Sequence, residues 1–341
     1  MHTYTSVFLL SLGGLGDFLT RWPLWQSLRR SFPSARIGYL GMPRHGNLLR
    51  SVGLCDEVFD FNEARWSRPD KNPKSSLDPE EGVSGREPIE GQIPNPKYEL
   101  VISILGTRGR EWVEQLMGDW IEHLVEIEPF PGEGAGVSVS GYVLAQALSM
   151  GFTDPGPIRV NIPMHVRAWA DGFWSAHGLS GKRVVAVHPG SGGKSKNWPG
   201  DKFTGLAAQL AAGGAAVIVL EGEAEEDHPR SGDRLRWAPG VLRVINYELI
   251  RVAALLARCD WYVGNDSGIS HLAALQGVPS TVIFGPTDPA IWAPGRGESV
   301  TVVRRPVPCA PCTAKQRDQC AERRCLTEIG VDAILGTVVL T

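Results

Sequence analysis

Apolar runs of strand length recur along this chain, each stopped by small or polar residues and followed by helix-periodic sequence. "SVFLLSL" (residues 6–12) ends at "GGLGD" and gives way to a helix through about Phe32. "ARIGYLG" (35–41), a helix near 43–52 and "EVFDF" (57–61) come next. Strand, helix, strand, helix is the signature of a parallel sheet covered by its own crossovers, so the chain is α/β.

From about 62 to 97 the pattern collapses into Pro, Ser, Gly, Glu and Lys, with too few apolar residues to offset ordering, and predicts a mobile insertion. Order returns at "YELVISIL" (98–105), with helices around 110–122 and 140–150 and a proline-rich linker at 155–163. A second cycle then runs through "RVVAVHPGSGGKSKNWPG", "AAVIVLEGEAEED" and "YVGNDSGISHLAALQGVPSTVIFGPTDP". With 341 residues, the chain divides into two doubly wound parallel-sheet domains, 1–160 and 161–341.

Several function classes drop out early. A net charge of −3 supplies no basic field for nucleic acid. The longest apolar runs fall well short of the roughly 20 residues a bilayer span needs. The opening lacks the cationic flank and small-residue cleavage site of a secretory signal, which predicts a cytoplasmic protein. Eleven tryptophans is a high count; Trp22, Trp66, Trp198, Trp237 and Trp292 sit in polar or Pro/Gly-rich context and are expected to pack at element ends, the alternative being that some line a cleft or face a membrane-bound partner.

Ligands of open parallel sheets bind beyond the carboxyl ends of the strands. One such end is "HPGSGGKSKNWP" (188–199): Gly190, Gly192 and Gly193 let backbone N–H groups approach an anion, with Ser191 among them, while Lys194 and Lys196 add charge. "GKS" is present, but His188 stands where a P-loop needs glycine, so a P-loop NTPase is rejected. The carboxylates of "VLEGEAEED" (219–227) could take ribose hydroxyls or form a solvated face. In "GNDSGISH", Ser267, Gly268 and Ile269 open a helix whose N–H groups favour phosphate, with Asp266 as the expected cap and His271 on the first turn. In the first half "LGGLGD" lacks the G-x-G-x-x-G spacing; Asp17 is either a helix cap or, facing a cleft, a general base for a substrate hydroxyl. No D-x-D occurs, and the one D-x-E, Asp78 to Glu80, falls in the insertion; lysines and helix N-termini would have to neutralise a leaving pyrophosphate.

"LGGLGDFLTRWPLWQSLRRSFPSARIGYL", "VHPGSGGKSKNWP", "VGNDSGISHLAALQGVPSTVIFGPTDP" and a cysteine-rich tail, in that order, resemble glycosyltransferase family 9, the bacterial lipopolysaccharide heptosyltransferases. The resemblance implies a GT-B architecture, two Rossmann-like domains facing each other across a cleft. It also implies inverting sugar transfer from ADP-heptose without a metal, to a glycan or lipid-linked acceptor of the lipopolysaccharide-core type. By position, Asp17 resembles the family's base and Lys196 its phosphate lysine, with Ser191 and Gly192 in the same loop. Glu225 falls where a carboxylate meets the nucleoside, and Asp266, Ser267, Gly268 and His271 on the donor loop. The family commonly has threonine where Ser267 stands, which keeps the hydroxyl. Contact with the inner membrane would be peripheral at most, since no amphipathic basic helix stands out.

Of six cysteines, Cys55 and Cys259 are expected as buried thiols. Cys309, Cys312, Cys320 and Cys325 form C-x2-C-x7-C-x4-C in a basic segment and could bind zinc or iron tetrahedrally. Family members keep such cysteines without a metal known to be needed, and the reading adopted is reduced or disulfide-paired thiols. Two alternatives accompany the transferase: a nucleotide-sugar epimerase on the same scaffold, and a non-catalytic nucleotide-sugar-binding protein.

Overall fold

The computed structural model describes residues 4–62, 98–106, 109–117, 121–132, 135–222, 235–295 and 299–340. The first half builds β1 (Ser6–Leu10), α1 (Leu15–Thr20), α2 (Trp22–Ser31), β2 (Arg36–Gly41), α3 (Pro43–Ser51) and β3 (Glu57–Asp60). It continues with β4 (Tyr98–Ser103), α4 (Arg110–Met117), β5 (Ile121–Glu126) and α5 (Val139–Ser149). Its sheet has the order β3-β2-β1-β4-β5, parallel throughout, with Leu10 opposite Leu40 on one side and Ser103 on the other.

The second half opens with α6 (Met164–Ala176), β6 (Val184–His188), α7 (Gly200–Ala212), β7 (Ala216–Glu221) and β8 (Leu242–Ile245). Then follow α8 (Leu249–Leu256), β9 (Trp261–Asn265), α9 (Gly268–Leu275), β10 (Ser280–Phe284), α10 (Pro289–Trp292) and β11 (Val300–Arg304). Three short helices, α11 (Ala314–Gln319), α12 (Arg324–Thr327) and α13 (Val331–Leu335), close the chain. This sheet has the order β11-β10-β9-β6-β7-β8, again parallel throughout.

Strand order reverses between β1 and β4 in the first sheet and between β6 and β9 in the second. At such switch points the crossover helices diverge to opposite faces and leave a crevice at the carboxyl ends. "GGLGD", "HPGSGGK" and "GNDSG" follow β1, β6 and β9 directly, so all three lie at switch-point crevices.

Buried aromatic side chains hold each half together. Trp22 and Trp25 are fully buried beside Phe18, and the Trp22 indole N–H donates to the Arg159 carbonyl at 3.0 Å. Ser27 and Gln26 donate to the Thr153 and Pro157 carbonyls, so the proline-rich linker is strapped along α2. Trp198 is buried edge-on to Phe203 and donates to the Ile329 carbonyl at 3.1 Å; Trp237 donates to Glu221. Such packing fits the expectation for these tryptophans; Trp66 lies outside the described residues.

One expectation changes and one goes untested. The helix expected over about 110–122 ends at Met117, and Ile121–Glu126 is edge strand β5. The insertion read at 62–97 lies, Asn62 apart, outside the described residues.

Candidate active site

One cleft with a cavity volume of about 790 Å³ lies between the halves. The first half supplies the turn after β1 and Arg44; the second supplies the ends of β6, β7, β8 and β9 with the starts of α8 and α9. That volume is in the range of small-molecule and cofactor sites.

The turn after β1 aims Asp17. Gly13 has φ +120°, and a Cβ there would stand 2.8 Å from Asp17 Oδ2, so only glycine serves. The Gly14 amide donates to Asp17 Oδ2 at 3.0 Å. Asp17 therefore caps α1 and lines the cleft at once; the two readings of this carboxylate do not exclude each other. Behind it Arg21 is 2% exposed, its Nη1 donating to Ser11 Oγ at 2.8 Å and to the Leu12 carbonyl at 3.0 Å. Burial lowers the pKa of Arg21, the Asp17 charge opposing it.

On the opposite wall Asn265 pins the glycine-rich loop. Its Oδ1 accepts the Trp198 amide at 2.9 Å and its Nδ2 donates to the Pro189 carbonyl at 2.7 Å, with the side chain fully buried. Ser191 Oγ donates to Asn197 Oδ1 at 2.6 Å and accepts the Gly193 amide, folding the loop on itself. Lys196 Nζ lies 3.3 Å from Asp266 Oδ2, which also accepts Thr287 Oγ1 at 2.7 Å. The cap of α9 is Ser267, accepting the Ser270 amide at 3.4 Å, and not Asp266 as expected; Asp266 is engaged by the lysine and threonine instead. His271 is buried and its ring donates to the Trp292 carbonyl. Burial brings its pKa down to about 4, with Lys196 adding to the shift and Asp266 opposing it.

Of the residues singled out from sequence, Asp17, Ser191, Gly192, Lys196, Asp266, Ser267, Gly268 and His271 line this one cleft. Lys194 does not line it; its side chain is exposed and its carbonyl accepts Arg323 Nη1 at 2.9 Å. Glu225 lies outside the described residues. Sequence reasoning missed an apolar wall from Leu220, Val244, Leu249 and Val252, suited to a flat base, and Asn246 and Tyr247 beside it. Asn246 has φ +55°, a left-handed conformation that only the structure displays. Arg44 and Arg317 were also missed, whereas Trp292, one of the tryptophans that the sequence offered for a cleft wall, lines it.

The four clustered cysteines line a neighbouring cavity of about 340 Å³ with Arg305, Arg317 and Arg323. Cys325 is buried, Cys312 half-buried, and Cys309 and Cys320 exposed. The Cys312 and Cys325 thiols are both pushed up, burial first and neighbouring thiols next. Among the described residues no group of three or more His, Cys, Asp or Glu side chains is placed to hold a metal ion. Cys55 and Cys259 are buried as expected.

The family model described as glycosyltransferase family 9 (heptosyltransferase) matches residues 142–322. Lipooligosaccharide heptosyltransferase 2 of Campylobacter jejuni is 26% identical over 149 residues, 40% of this chain and 44% of that one, so this match spans less than half of the relative. Lipopolysaccharide heptosyltransferase 3 of Escherichia coli is 25% identical over 303 residues, 82% of this chain and 83% of the relative. The solved structure of Escherichia coli ADP-heptose lipopolysaccharide heptosyltransferase II superposes with a TM-score of 0.66 at 17% identity, covering 97% of each chain. The fold is GT-B, and because the family model covers more than half of its length, the chain belongs to glycosyltransferase family 9.

Proposed function

We propose that the protein transfers heptose from ADP-heptose to a hydroxyl of a lipopolysaccharide-core-type acceptor, with inversion at the anomeric carbon. The observation that carries the reading is the sharing of one cleft by Asp17 from the first half and Lys196, Asp266, Ser267 and His271 from the second. Family membership and the heptosyltransferase names of the relatives support it.

In this reading the nucleotide base lies against Leu220, Val244 and Leu249, and the diphosphate points to the glycine-rich loop and the start of α9. The acceptor oxygen attacks the anomeric carbon as the bond from that carbon to the diphosphate oxygen breaks. The bonding pair leaves on the diphosphate, and the hydroxyl proton passes to Asp17. A carboxylate at a helix N-terminus is a weak base, so Asp17 orients the hydroxyl and takes its proton late, once the oxygen has become acidic. Lys196 turns from Asp266 to the departing diphosphate, joined by the amides of Gly268 and Ile269. Nothing observed favours the epimerase or the non-catalytic reading, and among the described residues no helix is long and apolar enough to cross a membrane.

Asp17→Asn tests the proposal. Transfer should fall by roughly 10²–10⁴-fold, the usual share of a general base, while ADP affinity stays within about twofold of the parent. Transfer within tenfold of the parent would remove Asp17 from the mechanism.

A further inference from the structure

The cleft has a charge that the reading above leaves without a task. Lys196 is already matched by Asp266 at 3.3 Å, yet a nucleoside diphosphate gains negative charge as its bond to the sugar breaks. Besides Lys196 and Arg44, a further cation stands in the same cleft: Arg317, from α11 in the cysteine-rich segment. Its side chain borders both the cleft and the cysteine cavity. Its Nε is buried without a hydrogen-bond partner, and among the described residues it forms no ion pair, not even with Asp318, which also borders the cleft.

The segment that carries Arg317 is fastened to the parts that would hold the diphosphate. The Arg323 guanidinium donates to the Lys194 carbonyl at 2.9 Å, tying the segment to the lysine loop. The Cys312 amide donates to the Pro286 carbonyl at 2.7 Å, tying it to the turn after β10. Leu326 is fully buried against Gly285, where a Cβ would come within 2.5 Å of Leu326 Cγ. Helix α11 starts on a reciprocal cap in which the Thr313 hydroxyl accepts the Gln316 amide and Gln316 accepts the Thr313 amide. A guanidinium on a braced arm, with one donor unmet and no counter-ion, is organised for an anion with several acceptor oxygens.

We infer that Arg317 contacts the leaving diphosphate beside Lys196, and that the cysteine-rich segment is the arm that presents it. The inference rests on the donor being a nucleoside diphosphate sugar, as proposed above. Its test is Arg317→Ala in the full-length protein, with ADP and AMP as calorimetric probes and steady-state transfer as the second readout. ADP affinity should fall about tenfold, the size of one charge-assisted hydrogen bond, and AMP affinity by less, because the missing contact is to the outer phosphate. The turnover number kcat should fall further than KM rises, since the contact strengthens as charge develops. Arg317→Lys should recover part of both losses. Arg317→Gln carries the same comparison should the alanine variant fold poorly.

ADP binding within twofold of the parent in Arg317→Ala or Arg317→Gln would overturn the inference and leave the proposed function standing. A parent protein that binds none of ADP, GDP and UDP would overturn both.

Discussion

Asp17 shows how far a single residue could be understood before the fold was known. Its glycine-flanked place after an apolar run marked it, and the structure gives it both a capping bond from Gly14 and a place in the cleft. Arg21 was illegible, because its burial is created by Ser11, by the Leu12 carbonyl and by Phe130, whose ring it faces at 5.6 Å. Lys194 and Lys196 could not be separated either. They occupy a single 3₁₀ turn, where residues two apart point in different directions, and only Lys196 reaches the cleft. Two buried histidines carry a prediction at this scale. His45 stacks on Phe18 with ring centroids 4.6 Å apart, and burial, aided by Arg44 and Arg21, takes its pKa down to about 3; His271 falls to about 4. Both stay neutral in the folded protein while the unfolded chain takes up protons below about pH 6.5. Their stabilising contribution is therefore complete above that pH and drains away as pH falls toward the folded values, by about 2 kcal/mol each at pH 5. Urea unfolding at pH 7.5 and 5.0 should show this loss, and His45→Phe should shrink it. An unchanged pH slope in the variant would mean that His45 is not held neutral.

At the scale of elements, the buried central strands were legible because both faces are covered and each reads as a continuous apolar run, as in "SVFLL" and "VVAVH". Edge strand β5, "IEHLVE", is exposed or half-buried along its length, so its charged residues masked it and the preceding helix was extended over it. The site loops were legible as glycine-rich strand ends, but what holds them was not. Asn265 looked like one more polar residue in "GNDSG", yet it is the buried staple between β9 and the lysine loop. Asn265→Leu would leave the Trp198 amide and the Pro189 carbonyl unpaired inside the protein, at a cost of about 2–4 kcal/mol. Denaturant titration should show that loss, and ADP affinity should drop more than tenfold because Lys196 rides on the released loop. A variant of parental stability would show that the loop is held by other contacts.

For the whole molecule, the decisive fact is that two switch-point crevices, one in each sheet, open into the same cleft. Periodicity foretold two α/β halves, but only coordinates show how they meet. The starts of α1 and α9 abut: a Cβ at Gly268 would lie 2.5 Å from Leu15 Cγ and 2.9 Å from the Gly16 amide nitrogen. Further along the seam, the Phe130 ring packs on Trp292 with centroids 5.6 Å apart. Gly268 therefore sets how closely the turn that carries Asp17 approaches the start of α9. Gly268→Ala must push the halves apart, and since a side chain can swing away more cheaply than backbone, the contact with Gly16 decides the result. We expect a loss of about 1–3 kcal/mol in stability, the range for overpacking. Transfer should drop more than tenfold with ADP affinity less affected, because in the proposed reading the donor contacts come mainly from one half while turnover needs both. Leu15→Ala in the same chain should restore only part of the activity, because the Gly16 amide stays in place. Full activity in Gly268→Ala would show that transfer takes place with the halves further apart, and Asp17 would then have to reach the acceptor from a wider cleft.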